Sequence, residues 1–462
     1  MEEGPVTVVI LAAGLGTRMK SKKAKVLHCA GGMPLVRHVV RTAMKITSPD
    51  RIFVVVGYQA DQVEAELQDL GVQFIRQLEQ KGTGHALLCC RDQLHREGGR
   101  LLVLYGDTPL LSERTLRDLL SHQRDNYTAA TLITTVLEDP TGYGRVLLDT
   151  EGNVTAIVEE KACTEEQRAK NEVNSGIYCF RSDLLWRHID EIQANNPAKE
   201  YYLTDIVEIF GHHGYAVGAM RLDDSTEVLG INTRVELAEA DRILRMRKAR
   251  ELMLAGVTIH RPETVMIDED VQMGMDCVVE PFAQILGKTV IGDDCHIGAG
   301  SIIMDSELGN QVEIGPFTII GQSKLEDNAQ AGPFARLRPN CVMEAGSRVG
   351  NFVELKNTRL GRGSKANHLA YLGDSEIGPE SNIGAGTITC NYDGSRKHKT
   401  RIGAGAFVGS NVTIVAPVEI GAGSYIGAGS VITESVPPHA LALGRSRQVI
   451  KEGWTLRRRE QE

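Results

Sequence analysis

The chain has no excess of basic residues: 51 Lys and Arg stand against 60 Asp and Glu, for a formal charge of -9 and a pI near 5.9. A surface of that sign repels phosphate backbones and anionic lipid, which argues against a general nucleic-acid or membrane-surface role. Cysteine pairing is missing too. The nine cysteines are odd in number and scattered, without a C-x-x-C or a paired His spacing, so neither a disulfide framework nor a structural zinc site is indicated. A reducing cytoplasm is the expected compartment. Nor is there a long apolar run: Val6 to Ala13 is too short and glycine-bounded for a signal or a membrane span, and it follows an acidic Met1-Glu-Glu-Gly opening. Aromatic residues make up only 5% beside 42% hydrophobic, an ordinary soluble globular composition. The 462 residues leave room for two or three cores.

Glycine, by contrast, is plentiful at 48, and much of it is periodic. Ile402, Val408, Ile414, Ile420, Ile426 and Ile432 recur at every sixth position, with glycine following at Gly403, Gly409, Gly421 and Gly427. A period of six matches neither a helix nor an ordinary strand and reads as hexapeptide β-helix coils, each hexad one flat side of a triangular coil with its aliphatic residue inward. Burying each Ile or Val contributes roughly 1.5–3 kcal/mol. The same period holds at Ile291, Ile297 and Ile303, then slips by one to Leu308, Ile314 and Ile320. From Ile383 to Ile402 the text is one residue longer than three hexads, which predicts a loop ejected within Cys390 to Lys399. A second polar segment, Lys365 to Asp374, reads as out of phase. It contains His368, the one acid/base candidate there, whose ordinary pKa of about 6.5 suits proton abstraction from an amine.

Upstream of the repeats, short aliphatic runs at Val6 to Leu11, Ile52 to Val56 and Leu101 to Tyr105 alternate with helical stretches such as Asp61 to Leu70 and Arg114 to His122. This βαβ series predicts an open, mostly parallel sheet with ligands at the carboxyl ends of its strands. Charged, helical text from about Thr233 to Ala255 predicts either a rigid arm or a solvated surface helix. The expected division is therefore 1–232, a linker helix at 233–256, and a repeat domain at 257–462. Directly after the first strand comes Leu11-Ala-Ala-Gly14-Leu-Gly16-Thr-Arg18-Met19, where glycines let backbone N–H groups approach phosphates and Arg18 adds charge. Met19 stands where a dinucleotide fingerprint wants a small residue, so that reading is weak. Lys25 lies in a run of lysines that a solvated loop would also explain. Asp107, at the end of another strand, suits either a turn or a divalent cation.

Together these motifs, with Gly82-Thr-Gly-His85, Tyr105-Gly106-Asp107, Gly142-Tyr-Gly-Arg145, Glu172-Val-Asn174-Ser-Gly176 and Gly230-Ile-Asn232, occur in the order found in sugar-1-phosphate nucleotidyltransferases. With the hexads attached, the chain from about Val6 to Trp454 resembles the bifunctional bacterial N-acetylglucosamine-1-phosphate uridyltransferase/glucosamine-1-phosphate N-acetyltransferases. The resemblance implies a Rossmann-like α/β nucleotidyltransferase domain joined by a linker helix to a left-handed parallel β-helix. It also implies acetyl transfer from acetyl-CoA to glucosamine 1-phosphate, then uridylyl transfer from UTP to N-acetylglucosamine 1-phosphate.

By the same resemblance, Leu11, Ala12, Ala13, Gly14, Gln77, Gly82 and Thr83 hold the uridine nucleotide, with Tyr105 and Gly106 beside them. Lys25 and Arg18 face its phosphates; Gly144, Glu159 and Asn174 contact the amino sugar; Asp107 and Asn232 ligate Mg²⁺. Ala24 departs from the family, which often has proline before the lysine, and the expectation is a looser loop. In the repeat domain His368 is the implied general base, Arg338, Lys356, Tyr371 and Asn382 contact the sugar phosphate, and Ala385, Asn391, Tyr392, Ser410, Ala428 and Arg445 surround the acetyl donor. A cytoplasmic homotrimer is implied, without nucleic-acid or membrane partners. Two other readings stay open at this point: a nucleotidyltransferase whose solenoid only assembles or regulates it, and a non-enzymatic scaffold.

Overall fold

The structure, a computed structural model, describes residues 4–196 and 198–459, so the acidic Met1–Glu3 opening lies outside the described residues. The chain separates into two compact units, dividing between Leu244 and Arg245.

In the first unit the strand order across the main sheet is Val217–Leu222, Ala130–Val136, Glu172–Arg181, Arg100–Tyr105, Val6–Ala12, Ile52–Val56 and Gln73–Arg76. Val8, Val9 and Ile10 are fully buried, as a strand covered on both faces requires. All pairings along this path are parallel except those of Glu172–Arg181, which runs against both neighbours. Val6–Ala12 pairs with Ile52–Val56 on one side and Arg100–Tyr105 on the other. The connections leaving it therefore diverge, which opens a crevice at its carboxyl end. A register irregularity between Asn174 and Tyr178 bends the antiparallel strand. The predicted helices form as Ala60–Leu67 and Glu113–Asn126.

The second unit is a left-handed parallel β-helix of hexapeptide repeats, whose strands stack in three parallel sheets of 11, 10 and 9. Every aliphatic residue read as inward, from Ile291 to Ile432, is buried. Successive coils pair 18 residues apart, as Val278 does with His296, or 17 apart, as Val290 does with Glu307. The shorter coils cut one corner at Asp305, Gln322, Asn357 and Asp374, each in the left-handed region with φ of 46° to 49°. That is the physical origin of the one-residue slip.

Two expectations need correcting here. Ile377 pairs with Ile402 across 25 residues, so the ejected loop carries seven extra residues and not one. An insertion of seven displaces a six-residue phase by only one, which hid its size. The segment Lys365 to Asp374 is not out of phase: Ala366 and Leu372 continue the inward series from Leu360, and all three are fully buried.

A helix, Arg234–Leu254, begins in the first unit and ends in the second. Its Ala240 and Leu244 pack in a small cluster with Leu35, Leu110 and Ile231, while Ala249 and Leu252 join the solenoid core that includes Val257 and Ile259. Among the described residues no helix is long and apolar enough to cross a membrane.

Candidate active sites

The crevice at the end of Val6–Ala12 is a cavity of about 590 Å³. Of the residues read from the sequence, Leu11, Ala12, Ala13, Gly14, Lys25, Gln77, Gly82, Thr83, Tyr105, Asp107, Glu159 and Asn174 line it. Arg18, Gly106, Gly144 and Asn232 do not line it but join the walls through hydrogen bonds. Gly106 N–H donates to the Leu11 carbonyl at 3.0 Å, and Asn174 N–H to the Gly144 carbonyl at 2.9 Å.

Charge is concentrated at one end. The Lys25 ammonium is paired with the buried Asp107 carboxylate and donates to Asn232 Oδ1 at 3.1 Å, while the Arg18 guanidinium donates to the same oxygen at 2.8 Å. Asp107 is held from behind, since its carbonyl accepts from Ile231 N–H at 2.9 Å. A carboxylate and an amide oxygen thus converge on one cation already, and hard oxygen donors of this kind suit a divalent cation. The other end is a polar pocket. Gln77, 4% exposed, has its amide nitrogen 3.2 Å from the Gly82 carbonyl and 2.9 Å from His85 Nδ1. Gly82 has φ 101°, and a Cβ there would meet the Tyr201 carbonyl oxygen at 2.5 Å, so close passage of two backbones requires glycine.

Burial raises the Glu159 carboxyl above its ordinary range, and Glu200 adds to the effect against a hydrogen bond from Thr204. Glu200, Tyr202 and Thr204 line the cavity but went unread in the sequence, as did Gln80. No glycine pattern marks them; tertiary contacts bring their segment in, with Gly84 N–H donating to the Tyr201 carbonyl at 2.8 Å and Leu203 N–H to Thr83 Oγ1 at 3.1 Å. At Ala24, where proline was expected, the N–H donates to Gln59 Oε1 at 2.6 Å, and Gln59 Nε2 donates to the Lys22 carbonyl at 2.8 Å. The basic loop is tied by a bond that proline could not make, and the expected loosening is absent at this point.

On the β-helix the residues fall into rows along its coils. Glu354, Tyr371 and Ile388 succeed one another in one sheet, where Lys356 pairs with Gly373 and Arg338 stands just beyond the paired positions. Arg338 is bonded to Glu354 at 3.1 Å. Lys397, which the sequence reading did not single out, stands beside Lys356; that neighbouring ammonium lowers the Lys397 pKa, with Asp374 acting the other way. Burial works to raise the Asp374 carboxyl, but amide donors from Asn357 and Asn391 and the charges of Lys356 and Lys397 hold it below its ordinary range. Asn391 donates to Asp374 at 2.5 Å and is thereby fixed and buried.

A second row follows another sheet, where Lys365 pairs with Asn382 and Asn351 with His368. Ala385, Ser410 and Ala428 follow on the next coils: Asn411 N–H donates to the Ala385 carbonyl at 2.7 Å and Gly429 N–H to that of Ser410 at 2.8 Å. Tyr392 is 61% exposed, and His368, Ser410, Ala428 and Arg445 are also exposed. The ejected loop is internally braced. Its Asp393 carboxyl is held well below the usual range by the Arg396 backbone N–H, His398 and the Ser395 N–H. A groove of about 710 Å³ on this unit lies elsewhere, between Glu344, Arg401, Glu419 and Pro438, and contains none of the predicted residues.

An open α/β sheet with a charged, oxygen-rich crevice, followed by hexapeptide coils, defines a nucleotidyltransferase fused to a hexapeptide acyltransferase. Residues 8–169 match the MobA-like NTP transferase domain, and 270–305 and 399–434 match bacterial transferase hexapeptide repeats. The bifunctional protein GlmU of Solibacter usitatus is 60% identical over 99% of this chain and 98% of its own length. Those of Koribacter versatilis and Trichlorobacter lovleyi are 51% and 45% identical, each over 98% of this chain, with 97% and 98% of their own lengths covered. The chain belongs to the bifunctional GlmU family. It is an acetyltransferase and uridyltransferase of UDP-N-acetylglucosamine synthesis.

Proposed function

We propose that the two transfers are carried by the residues read from the sequence, with acetylation on the β-helix preceding uridylyl transfer in the α/β crevice. In the crevice, a phosphate oxygen of N-acetylglucosamine 1-phosphate attacks the α-phosphorus of UTP; the new P–O bond forms as the α–β bond breaks and pyrophosphate departs. No covalent enzyme intermediate is required, so positioning and neutralisation supply the acceleration. Leu11 to Gly14, Gln77, Gly82 and Thr83 seat the nucleotide, with Tyr105 and Gly106 at its edge, and Gly144, Glu159 and Asn174 seat the sugar. Lys25 and Arg18 face the phosphates. Asp107 and Asn232 are the oxygen ligands for Mg²⁺, which when bound neutralises charge on the triphosphate. The convergence of Asp107 and Asn232 on the Lys25 ammonium is the observation that supports this assignment most directly.

On the β-helix, His368 takes a proton from the amine of glucosamine 1-phosphate as nitrogen attacks the acetyl carbonyl carbon. The C–N bond forms, the C–S bond breaks, and the imidazolium returns its proton to the departing coenzyme A thiolate. Arg338, Lys356, Tyr371 and Asn382 take the sugar phosphate. Lys397 belongs with them, because two adjacent ammonium groups repel until a dianion sits between them. Ala385, Asn391, Tyr392, Ser410, Ala428 and Arg445 receive acetyl-CoA. The exposure of His368, Tyr392 and Ser410 supports a homotrimer in which neighbouring subunits cover these rows, and the compartment we assign to it is the cytoplasm.

Coenzyme A and pyrophosphate release, measured with the two sugar phosphates offered separately, tests the scheme. Glucosamine 1-phosphate should yield coenzyme A, and N-acetylglucosamine 1-phosphate should yield Mg²⁺-dependent pyrophosphate. Sedimentation equilibrium tests the trimer; a monomer at assay concentrations would refute it.

A further inference from the structure

We propose that Asn351 is a positioning residue for acetyl transfer, which fixes the tautomer and the aim of the His368 ring. The inference rests on the assignment of His368 as general base. Asn351 and His368 are register partners on adjacent coils, and His368 Nδ1 lies 2.8 Å from Asn351 Oδ1. An amide oxygen can only accept, so Nδ1 must carry the proton. A neutral imidazole has one proton to place, and Nε2 is left with its lone pair free. Among the described residues this is the one side-chain hydrogen bond the ring makes, and the ring is otherwise exposed. Without it, no side-chain hydrogen bond among the described residues would choose between the two tautomers.

The contact is built into the coil. At Gly350 a Cβ would fall 2.0 Å from the Asn367 carbonyl oxygen, so the two coils close to a distance only glycine permits, one residue before the pair. Leu369 N–H then donates to the Asn351 carbonyl at 3.1 Å, which holds the backbones together on the far side. The two nitrogens of an imidazole point apart, so anchoring Nδ1 to the preceding coil turns Nε2 away from that coil. Ala366 pairs with Ile383, and the same register continued by two residues sets His368 beside Ala385, one of the positions assigned to the acetyl donor. An amide also suits the role better than a carboxylate would. Aspartate here would favour the imidazolium and reduce the free base at neutral pH, whereas asparagine orients the ring without adding charge.

Full-length N351A, N351D and H368A, assayed for coenzyme A release across pH with pyrophosphate release as the folding control, test this. N351A should lower kcat for acetyl transfer about 10–10²-fold, the cost of a misplaced catalytic group, with both KM values little changed and uridylyl transfer normal. N351D keeps an acceptor, so its rate should recover at high pH with the acid limb moved upward. An unchanged kcat in N351A beside an inactive H368A overturns the proposal alone. So does a loss confined to KM, which would make Asn351 a substrate contact, or an N351D whose acid limb stays in place. An H368A that still acetylates overturns the base assignment and, with it, the proposal.

Discussion

The two units expose their chemistry to water in opposite ways. In the α/β unit the polar groups sink into a cavity: Asp107 is 8% exposed and Gln77 4%. On the β-helix, His368 and Ser410 stand outward on the coils and Tyr392 on the ejected loop. The difference follows from the folds. A doubly wound sheet diverges at its switch point and can surround a ligand with loops from many strands. A solenoid fills its interior with Ile and Val and has only its outer edges to offer, so enclosure must come from loops or from other subunits.

Breaking the solenoid interior should have the largest effect. Ile420 is 2% exposed, and Ile420→Asp buries an unpaired charge in a coil with no room for water; the β-helix should fail to fold cooperatively, seen as loss of its unfolding transition. The activities should separate next. His368→Ala is expected to reduce coenzyme A release about 10²–10⁴-fold and leave pyrophosphate release near normal. Asp107→Ala should do the reverse, lowering pyrophosphate release by at least about 10²-fold while acetyl transfer holds. Equal loss of both activities in either variant would point to misfolding.

A smaller effect sharpens the contrast on the open side. Lys397→Ala should raise KM for glucosamine 1-phosphate by about tenfold, with kcat little changed, as expected for one exposed charge-assisted contact. The smallest concerns the enclosed side. Burial, with Glu208 and Glu159 nearby, raises the Asp205 carboxyl to about 6. Its folded pKa therefore lies above the unfolded value, so its contribution to stability is full below about pH 4 and is lost as pH rises through 6. Asp205→Asn should raise stability at pH 7 by about 1 kcal/mol after allowance for partial exposure, with the gain vanishing below pH 4 in denaturant titrations.

What could be read from the sequence follows the same division. The hexads announced the solenoid because each inward Ile or Val is a local, periodic requirement. The loop at Cys390 to Lys399 was located but mis-sized, because period six cannot distinguish one extra residue from seven. Lys397 was invisible as a partner of Lys356 because contact between the ejected loop and a coil carries no mark in the chain. Asn351 is hidden likewise, 17 residues before His368, a distance set by the shortened corner at Asn357. In the α/β unit the glycine motifs led directly to the crevice. The Glu200 to Thr204 wall was missed because it arrives through tertiary contact with Gly82 and Gly84.

The helix that brings Ala249 and Leu252 into the solenoid core has a further consequence. Stacked coils present unpaired strand edges at their ends, and such rungs can template endless fibre growth by recruiting other chains. Apolar side chains from a helix have no ladder to extend. By admitting them beside Val257 and Ile259, the chain closes this core on side chains to which no further rung can add.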